Sequence, residues 1–178
     1  MNTPRIPRQT RERKIAYVRQ LCALAVEPIP TWYFALVVVR RGDQFLIVHE
    51  RKHGQLWYLP AGRVEPGETF VDAACRETLE ETGVPVQIVG VLRIEHSPTP
   101  VATRMRIVFL AEPIDHTPPK SKPDDESLEA VWVNLKQLSK YPLRGDEVAE
   151  LFAYVEAGGT VYPISVIQPE GMPFRVQG

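Results

Sequence analysis

Three glutamates within five residues constrain the fold and the chemistry of this chain more than any other feature. Glu77, Glu80 and Glu81 stand at positions i, i+3 and i+4, which lie on one face of a helix with about 3.6 residues per turn. Like charges this close repel each other, so their clustering indicates a compensating cation. Carboxylate oxygens are the ligands that Mg²⁺ prefers, and Mg²⁺ also binds phosphate oxygens. The spacing therefore predicts a helix that presents carboxylates to a divalent cation.

An ordinary solvated acidic face is the alternative interpretation of these glutamates. Arg76 lies four residues before Glu80 and would offset part of the repulsion through a helix ion pair. On either interpretation, the opposite face of the helix should pack against the protein core. That face carries four residues: Val71, Cys75, Thr78 and Leu79.

Both ends of the predicted helix carry recognisable signals. Thr69 and Asp72 have the spacing of a capping box, and Gly83 suits the left-handed conformation that ends many helices. Residues 60–67 contain two prolines and two glycines, so we expect a loop whose backbone can approach a ligand closely. The predicted order is a strand at about residues 55–59, this Gly-rich loop, and then the helix.

Length and composition exclude several classes of protein. A chain of 178 residues fits one domain, and its net charge of −1 gives no general attraction to a nucleic acid polymer or an anionic membrane. No apolar run reaches the roughly 18 residues that a membrane-spanning helix needs. Cys22 and Cys75 occupy apolar positions of predicted helices. We expect buried thiols rather than a disulfide, and hence a cytoplasmic location.

The remaining sequence predicts alternating strands and helices in three regions. Residues 1–30 should form a helical extension with a helix from Arg11 to Ala25, residues 31–158 the main domain, and residues 159–178 a tail packed on that domain. Strands are expected at about 32–39, 44–49, 87–95, 104–111 and 128–133, a short helix after Asn134, and another helix over 145–157. This order predicts an α/β fold with a mixed sheet and helices on its faces.

The segment from Gly62 to Val84 resembles the Nudix box, G-x5-E-x7-R-E-U-x-E-E-x-G-U, where U is a bulky apolar residue. Eight positions match: Gly62, Glu68, Arg76, Glu77, Glu80, Glu81, Gly83 and Val84. Thr78 stands where Leu, Ile or Val is usual, but a β-branched Thr can still pack. The resemblance implies an α/β/α sandwich. It also implies a hydrolase that acts on nucleoside diphosphates linked to another group.

The resemblance implies a metal site and its supporting residues. The carboxylates of Glu77, Glu80 and Glu81 and the carbonyl oxygen of Gly62 would bind Mg²⁺, for which Mn²⁺ would substitute. Arg76 would hold the carboxylates in place through charge-assisted hydrogen bonds. The reaction would be attack of water on phosphorus, which cuts a diphosphate bond.

The acceptor of the water proton has two candidate locations. One is Glu80 or Glu81 within the box. The other is Glu126, which lies six residues before Trp132 in a position where many members of this family carry an acid. The acidic run 124–126 also fits a solvated, mobile loop with no catalytic role.

Cationic and aromatic residues are expected near the phosphates and the base. Arg51 ends a predicted strand, and Arg104 and Arg106 alternate onto one face of another, so each is a candidate phosphate ligand. Trp57 is a candidate for stacking on a base, although Trp at this place is more often a core residue.

The substrate stays open between several groups of nucleotides. Residues 57–69, 126–132 and 142–144 resemble the branch that cleaves oxidised guanine nucleoside diphosphates, which favours a nucleotide-pool sanitising role on oxidised nucleoside di- or triphosphates. Pro98 and Pro100 resemble ADP-ribose pyrophosphatases, so an ADP-ribose or nucleotide-sugar pyrophosphatase is the alternative. A non-catalytic nucleotide-binding regulator is a second alternative, disfavoured because all the box carboxylates are present. Many members of the family are homodimers, so the predicted N-terminal helix is a candidate either for a homodimer contact or for covering the sheet.

Overall fold

The structure is a computed structural model, and it describes residues 29–173. The predicted N-terminal helix and Cys22 lie outside the described residues. The described elements, in chain order, are β1 (Thr31–Arg41), β2 (Gln44–Glu50), β3 (Trp57–Tyr58), β4 (Ala61–Arg63), α1 (Phe70–Thr82), β5 (Val86–Pro98), β6 (Thr103–Pro113), β7 (Ser127–Val133) and α2 (Glu147–Glu156). Two short 3₁₀ helices cover Leu135–Lys140 and Ile164–Val166.

The five longer predicted strands are all present, each extended by one to three residues at one or both ends. The strand expected at 55–59 is shorter and consists of Trp57 and Tyr58 alone. Gln55 explains this difference, because its backbone adopts a left-handed conformation with φ of 56° that cannot continue a strand. The predicted Gly-rich loop also contains β4, which the sequence did not indicate. The predicted helix over 145–157 begins two residues later, at Glu147.

The sheet is mixed, as predicted. Its strands run in the order β3-β2-β1-β6-β5, with β4 paired to β1 and β7 paired to β2. The β1–β6 pair is parallel, and the other pairs are antiparallel. Helices on both faces complete the predicted α/β/α arrangement, since α1 and α2 contribute to separate core clusters.

The first two strands separate along the sheet, and this separation makes room for the site. β1 and β2 pair only beside their hairpin, at Arg40 with Phe45 and Arg41 with Gln44. Farther from the hairpin, β1 pairs with β4 while β2 pairs with β3. A cleft therefore opens between the diverging strands, and residues 61–63 form part of its edge.

Alternating residues of β1 enter the two cores. Leu36 and Val38 belong to the cluster that includes α2, whereas Ala35, Val37 and Val39 belong to the cluster under α1. This is the alternation that strand geometry dictates.

Aromatic stacking secures α2 on its face of the sheet. The rings of Phe45 and Phe152 stack with centroids 4.3 Å apart, and both side chains are fully buried.

The core-facing side of α1 agrees with the prediction at three of four residues, since Thr78 is buried and Val71 and Cys75 pack against the core cluster, whereas Leu79 does not. Four residues of α1 are buried: Ala73, Ala74, Thr78 and Thr82. The small alanines allow close approach to the sheet, and the hydroxyls of Thr78 and Thr82 donate to carbonyls four residues earlier, at 2.7 and 2.6 Å. Leu79 is 50% exposed because the buried stripe is centred on Ala74 and Thr78, so its predicted core role is wrong.

The tail from residue 159 is described as far as residue 173. Tyr162 exchanges two backbone hydrogen bonds with Val91, both of 2.8 Å, and so adds a short antiparallel contact to β5. Ile164 and Ile167 pack against the core cluster under α1.

Candidate active site

The caps of α1 fix where its glutamates lie. The Thr69 hydroxyl accepts a hydrogen bond from the Asp72 N–H, and the Asp72 carboxylate accepts one from the Thr69 N–H, both at 3.1 Å. Gly83 ends the helix in the left-handed conformation with φ of 73°, and its N–H donates to the Leu79 carbonyl at 2.8 Å. The predicted capping box and glycine cap are both confirmed.

Arg76 connects the acidic residues of this segment. It donates to both oxygens of Glu68 at 2.6 and 3.0 Å, to Glu77 at 2.9 Å and to Glu80 at 3.0 Å. A further bond to the carbonyl of Arg63, at 3.0 Å, ties it to β4. The hydrogen bond from Arg76 lowers the pKa of Glu68 to about 2. The guanidinium therefore bonds Glu77 and Glu80, two of the three carboxylates expected for it, together with Glu68.

Within residues 29–173, no Arg or Lys side chain bonds to Glu81. Its Oε2 accepts a hydrogen bond from the Ala61 N–H at 2.9 Å. Burial raises the pKa of Glu81 to about 8, against the opposing effect of this bond. Burial also raises the pKa of Glu77, and the nearby charges of Glu80 and Glu126 add to that effect. These carboxylates are therefore destabilised in their ionised form, and a cation beside them would reverse the effect.

Gly62 brings the backbone of β4 against a carboxylate of α1. A Cβ atom at residue 62 would lie 1.9 Å from the carboxyl carbon of Glu77 and 2.0 and 2.1 Å from its oxygens. Only glycine permits this approach of the β4 backbone to the Glu77 carboxylate. Carboxylate oxygens are donors that suit Mg²⁺ or Mn²⁺.

A complete protein cage for the cation is not formed. Among residues 29–173, no group of three His, Cys, Asp or Glu side chains is gathered closely enough to hold a metal ion. Arg76 occupies one oxygen each of Glu77 and Glu80. The residues fit a cation that takes further ligands from phosphate and water, as Mg²⁺ usually does. The ligand set Gly62, Glu77, Glu80 and Glu81 stays a prediction.

A cavity of about 400 Å³ lies next to this helix, in the cleft between β1 and β2. The described part of the chain contributes six cationic side chains to the cavity lining, namely Arg51, Lys52, Arg63, Arg104, Arg106 and Arg144, against three acidic ones, namely Glu50, Glu81 and Glu126. Phe34 and Tyr58 are its aromatic residues. A cavity with this excess of positive charge suits a polyanionic ligand such as a diphosphate.

Six of the predicted site residues line this cavity: Gly62, Glu81, Glu126, Arg51, Arg104 and Arg106. The three arginines differ in whether a carboxylate of the described residues pairs with them. Arg106 pairs with Glu95 at 2.6 Å and with Glu147 at 2.7 Å, so two carboxylates already balance its charge. Arg104 lies over the Phe34 ring at 4.8 Å, and neither it nor Arg51 has an ion pair among the described residues.

Glu126 belongs to a structured loop. The Asp124 Oδ1 accepts hydrogen bonds from the N–H groups of Glu126 and Ser127, at 3.0 and 3.1 Å. Arg51 donates to the Asp124 carbonyl at 2.6 Å. These bonds bring Glu126 to the cavity that Glu81 also lines, although the two residues are 45 positions apart in the sequence.

Trp57 does not reach the cavity. Its side chain is 7% exposed, its ring stacks on His49 at 4.6 Å, and Tyr141 meets it edge-on at 4.8 Å. The predicted stacking of Trp57 on a base is therefore replaced by a core role. Its neighbour Tyr58 lines the cavity instead, because successive side chains of a strand point to opposite faces.

Sequence reasoning assigned no role to Glu50 and Arg144. Arg144 donates to the Oε1 of Glu50 at 2.5 Å, and its guanidinium carbon lies 3.4 Å from the centroid of the Tyr58 ring. The backbone N–H of Arg144 donates to the Trp57 carbonyl at 2.9 Å, and this bond attaches residues 142–144 to β3. No spacing pattern could reveal a pair that is 94 positions apart. The only signal was the likeness of residues 142–144 to one branch of the family.

None of the helices within residues 29–173 is long and apolar enough to span a membrane.

The sequence is similar to proteins of one family. The NUDIX domain model matches residues 31–154. Over 148 residues the chain is 38% identical to the protein named 8-oxo-dGDP phosphatase NUDT18 from Mus musculus, a match that covers 79% of this chain and 43% of that protein. It is 34% identical over 141 residues to Phosphatase NudJ from Shigella boydii, which covers 77% of this chain and 90% of that protein. The chain spans less than half the length of the NUDT18 proteins it matches.

Comparison of structures agrees with the sequence matches. A NUDIX hydrolase from Nitrosomonas europaea superposes with a TM-score of 0.66 at 27% identity, covering 79% of this chain and 97% of that one. An ADP-ribose pyrophosphatase from Streptococcus suis shares the fold, with a TM-score of 0.57 at 23% identity, over 74% of this chain and 95% of that one. The domain match, the carboxylate helix and the fold lead to one conclusion. The chain belongs to the Nudix hydrolase family.

Proposed function

We propose that the chain hydrolyses a phosphoanhydride bond of a nucleoside diphosphate derivative with the help of Mg²⁺. One observation carries the proposal: the carboxylate-bearing helix α1 borders a cavity whose cationic side chains outnumber its acidic ones six to three. Carboxylates alone would repel a diphosphate, and arginines alone would bind it without activating water. The two together supply both functions.

The acidic residues of α1 would bind the cation beside the reacting phosphorus. Glu77, Glu80, Glu81 and the Gly62 carbonyl would hold the cation, with Arg76 fixing two of the carboxylates. When bound, Mg²⁺ would neutralise phosphate charge and lower the pKa of a coordinated water.

Glu126 is the preferred acceptor of the water proton. It lines the cavity, and its carboxylate has no hydrogen bond or ion pair among the described residues that would occupy it. Glu80 or Glu81 is the alternative acceptor. The Ala61 N–H already binds one oxygen of Glu81, and Arg76 binds one oxygen of Glu80. Both oxygens of Glu126 are therefore open to a proton from water, whereas Glu81 and Glu80 each have one oxygen already bonded.

The cationic residues would bind the phosphates. Arg51 and Arg104 reach the cavity without a carboxylate partner among the described residues, so their positive charge is available to the ligand. Arg106 would contribute mainly by keeping Glu147 and Glu95 in place. Guanidinium groups suit this role because they form paired hydrogen bonds with phosphate oxygens.

For the substrate we propose oxidised guanine nucleoside diphosphates first, and oxidised nucleoside triphosphates with them. The support is the 38% identity to the mouse protein named 8-oxo-dGDP phosphatase NUDT18, and 40% to the human protein of the same name. An ADP-ribose or nucleotide-sugar pyrophosphatase is the alternative, supported by the positions of Pro98 and Pro100. A non-catalytic regulator is disfavoured because every carboxylate of the box is present. The cytoplasmic location and the homodimer stay predictions.

A panel of substrates tests the proposal. The protein is incubated with 8-oxo-dGDP, 8-oxo-dGTP, GDP, ADP-ribose and a UDP-sugar, each with Mg²⁺, with Mn²⁺ and with EDTA, and the products are separated by chromatography. We expect fastest turnover of 8-oxo-dGDP to the nucleoside monophosphate and phosphate, and none in EDTA. Preference for ADP-ribose would overturn the substrate assignment, and turnover in EDTA would overturn the metal dependence.

Paired variants test the site itself. The Glu80→Gln/Glu81→Gln double variant should lose turnover by more than about 100-fold, because the charges that hold the cation are gone. Glu112→Gln is the control, since Glu112 is an exposed glutamate of β6 outside the cavity lining, and it should retain full activity. Thermal unfolding establishes that both variants fold. Full turnover by a folded double variant would refute the assignment.

A further inference from the structure

The loop that carries Glu126 is attached to the C-terminal end of α1 by residues that the proposed chemistry does not use. Among the described residues, the carboxylate of Glu126 forms no hydrogen bond or ion pair, and only its N–H is bonded, to Asp124. The position of Glu126 in the cavity is therefore set by the contacts of its loop. Lys120 makes several of these contacts, beside those of Arg51 and Ser127.

Lys120 joins α1 to this loop and to β7. Its Nζ donates to the Glu80 carbonyl at 2.5 Å and pairs with the Asp124 Oδ2 at 2.5 Å. Its backbone N–H donates to the Thr82 carbonyl at 2.7 Å, and its own carbonyl accepts from the Ala130 N–H at 2.8 Å. The side chain is only 13% exposed, so water competes weakly for these contacts.

Asp124 transmits this attachment to Glu126. One of its carboxylate oxygens faces Lys120, and the other accepts the N–H groups of Glu126 and Ser127 at 3.0 and 3.1 Å. The hydrogen bond from Lys120 lowers the pKa of Asp124 and keeps it ionised. Ser127, which is fully buried, adds a parallel connection by donating its hydroxyl to the Glu81 carbonyl at 2.6 Å.

The end of α1 is a favourable place for a cation from elsewhere in the chain. The last carbonyls of a helix lack partners within the helix and carry partial negative charge. The last turn of α1 contains no basic residue of its own. Lys120 supplies both a donor and a positive charge at this end, immediately behind Glu80 and Glu81.

We propose that Lys120 is a positioning residue for hydrolysis: through Asp124 it holds Glu126 at a fixed distance from the carboxylates of α1. This inference rests on the proposed function, because the position of Glu126 matters only if Glu126 takes part in the reaction. A displacement of about 1 Å in a catalytic group can lower a rate by about 100-fold. Loss of Lys120 should therefore lower kcat more than it raises KM.

Lys120→Met tests the role of the charge, because Met keeps much of the length of the side chain. Lys122→Met is the matched control, since Lys122 is an exposed lysine two residues away with no ion pair among the described residues. We expect Lys120→Met to lower kcat by about tenfold or more, with KM changed by less than about threefold. Lys122→Met should match the wild type. Equal kcat for the two variants would overturn the proposal.

A double-variant cycle with Glu126→Gln separates positioning from general stability. If Lys120 acts through Glu126, adding Lys120→Met to Glu126→Gln should lower kcat by less than about a further twofold. Asp124→Asn should give the same result, because Asn keeps the oxygen that accepts the two N–H groups and removes the charge that Lys120 needs. Asp124→Asn carries the test if Lys120→Met does not fold. Losses that multiply, or a Glu126→Gln variant with unchanged kcat, would overturn the proposal.

The outcomes distinguish this inference from the proposed function. A wild-type protein that is active on the substrate panel, with losses that multiply in the cycle, would overturn the role of Lys120 and leave the proposed function intact. A wild-type protein that hydrolyses none of the nucleotides would overturn both.

Discussion

The contact between Gly62 and Glu77 gives the sharpest prediction from the structure. In Gly62→Ala, the added Cβ would lie 1.9 Å from the carboxyl carbon of Glu77, whereas an ordinary contact needs about 3.4 Å. The pairing of residues 61–63 with β1 restrains the backbone of β4. The Glu77 carboxylate therefore has to move by about 1.5 Å, the difference between these distances.

This displacement should affect activity far more than stability. The clash involves the end of a flexible side chain, so the fold can relax at a cost of about 1–3 kcal/mol, the worth of the hydrogen bond to Arg76 that Glu77 gives up. Displacing the Glu77 carboxylate, a proposed metal ligand, by more than about 1 Å should lower kcat by about 100-fold or more. Steady-state kinetics over a Mg²⁺ titration, together with thermal unfolding, would measure both effects.

The control for this variant is a Gly→Ala substitution at a position where the added Cβ has no close neighbour. A Cβ at Gly145 would meet no atom within 4 Å, so Gly145→Ala should leave kcat within about threefold of the wild type. A Gly62→Ala protein with equally small losses would refute the reasoning, because the carboxylate of Glu77 would then not matter at its observed position.

Two further predictions concern stability. Phe152→Ala removes a fully buried ring that stacks on Phe45, so the free energy of unfolding measured in urea should fall by about 3–5 kcal/mol, and a loss below about 1 kcal/mol would contradict the described packing. In EDTA, the free energy of unfolding should decrease as the pH rises from about 4.5 to about 8. Burial raises the pKa of Glu81 from 4.5 to about 8, so between these values the folded state keeps a proton that the unfolded state has lost. Rising pH therefore favours the unfolded state. Glu81→Gln should flatten this dependence in urea titrations at several pH values, and an identical slope in both proteins would contradict the raised pKa.

Local signals made the helix with the carboxylates predictable. The capping residues, the glycine at its end and the spacing of its glutamates all lie within residues 69–83, so no knowledge of the tertiary fold was needed. The face of the helix was harder to predict. Leu79 was expected inside because it is hydrophobic. Two alanines are buried there instead, together with two threonines whose hydroxyls donate to carbonyls of the same helix.

The cavity depended on tertiary structure that no local pattern contains. It exists because β1 leaves β2 beyond the hairpin and pairs with β4. The backbone bond of Arg144 to β3, which pairs with β2, then brings Arg144 beside Glu50, and the path of the chain brings Glu126 to the cavity that Glu81 lines. Trp57 and Tyr58 show the same limit at the scale of one residue. Both are aromatic and adjacent in β3, so their side chains point to opposite faces of the strand. Only the tertiary structure decides which of these faces borders the cavity.

The central claim is that the carboxylates of α1 hold a divalent cation between the helix and a bound diphosphate. Anomalous diffraction from crystals grown with Mn²⁺ and a non-hydrolysable nucleoside diphosphate analogue tests it most directly. We expect a manganese peak within about 2.0–2.6 Å of oxygens from Glu77, Glu80 or Glu81 and of a phosphate oxygen. A nucleotide seated in the cavity with no manganese at these carboxylates would contradict it.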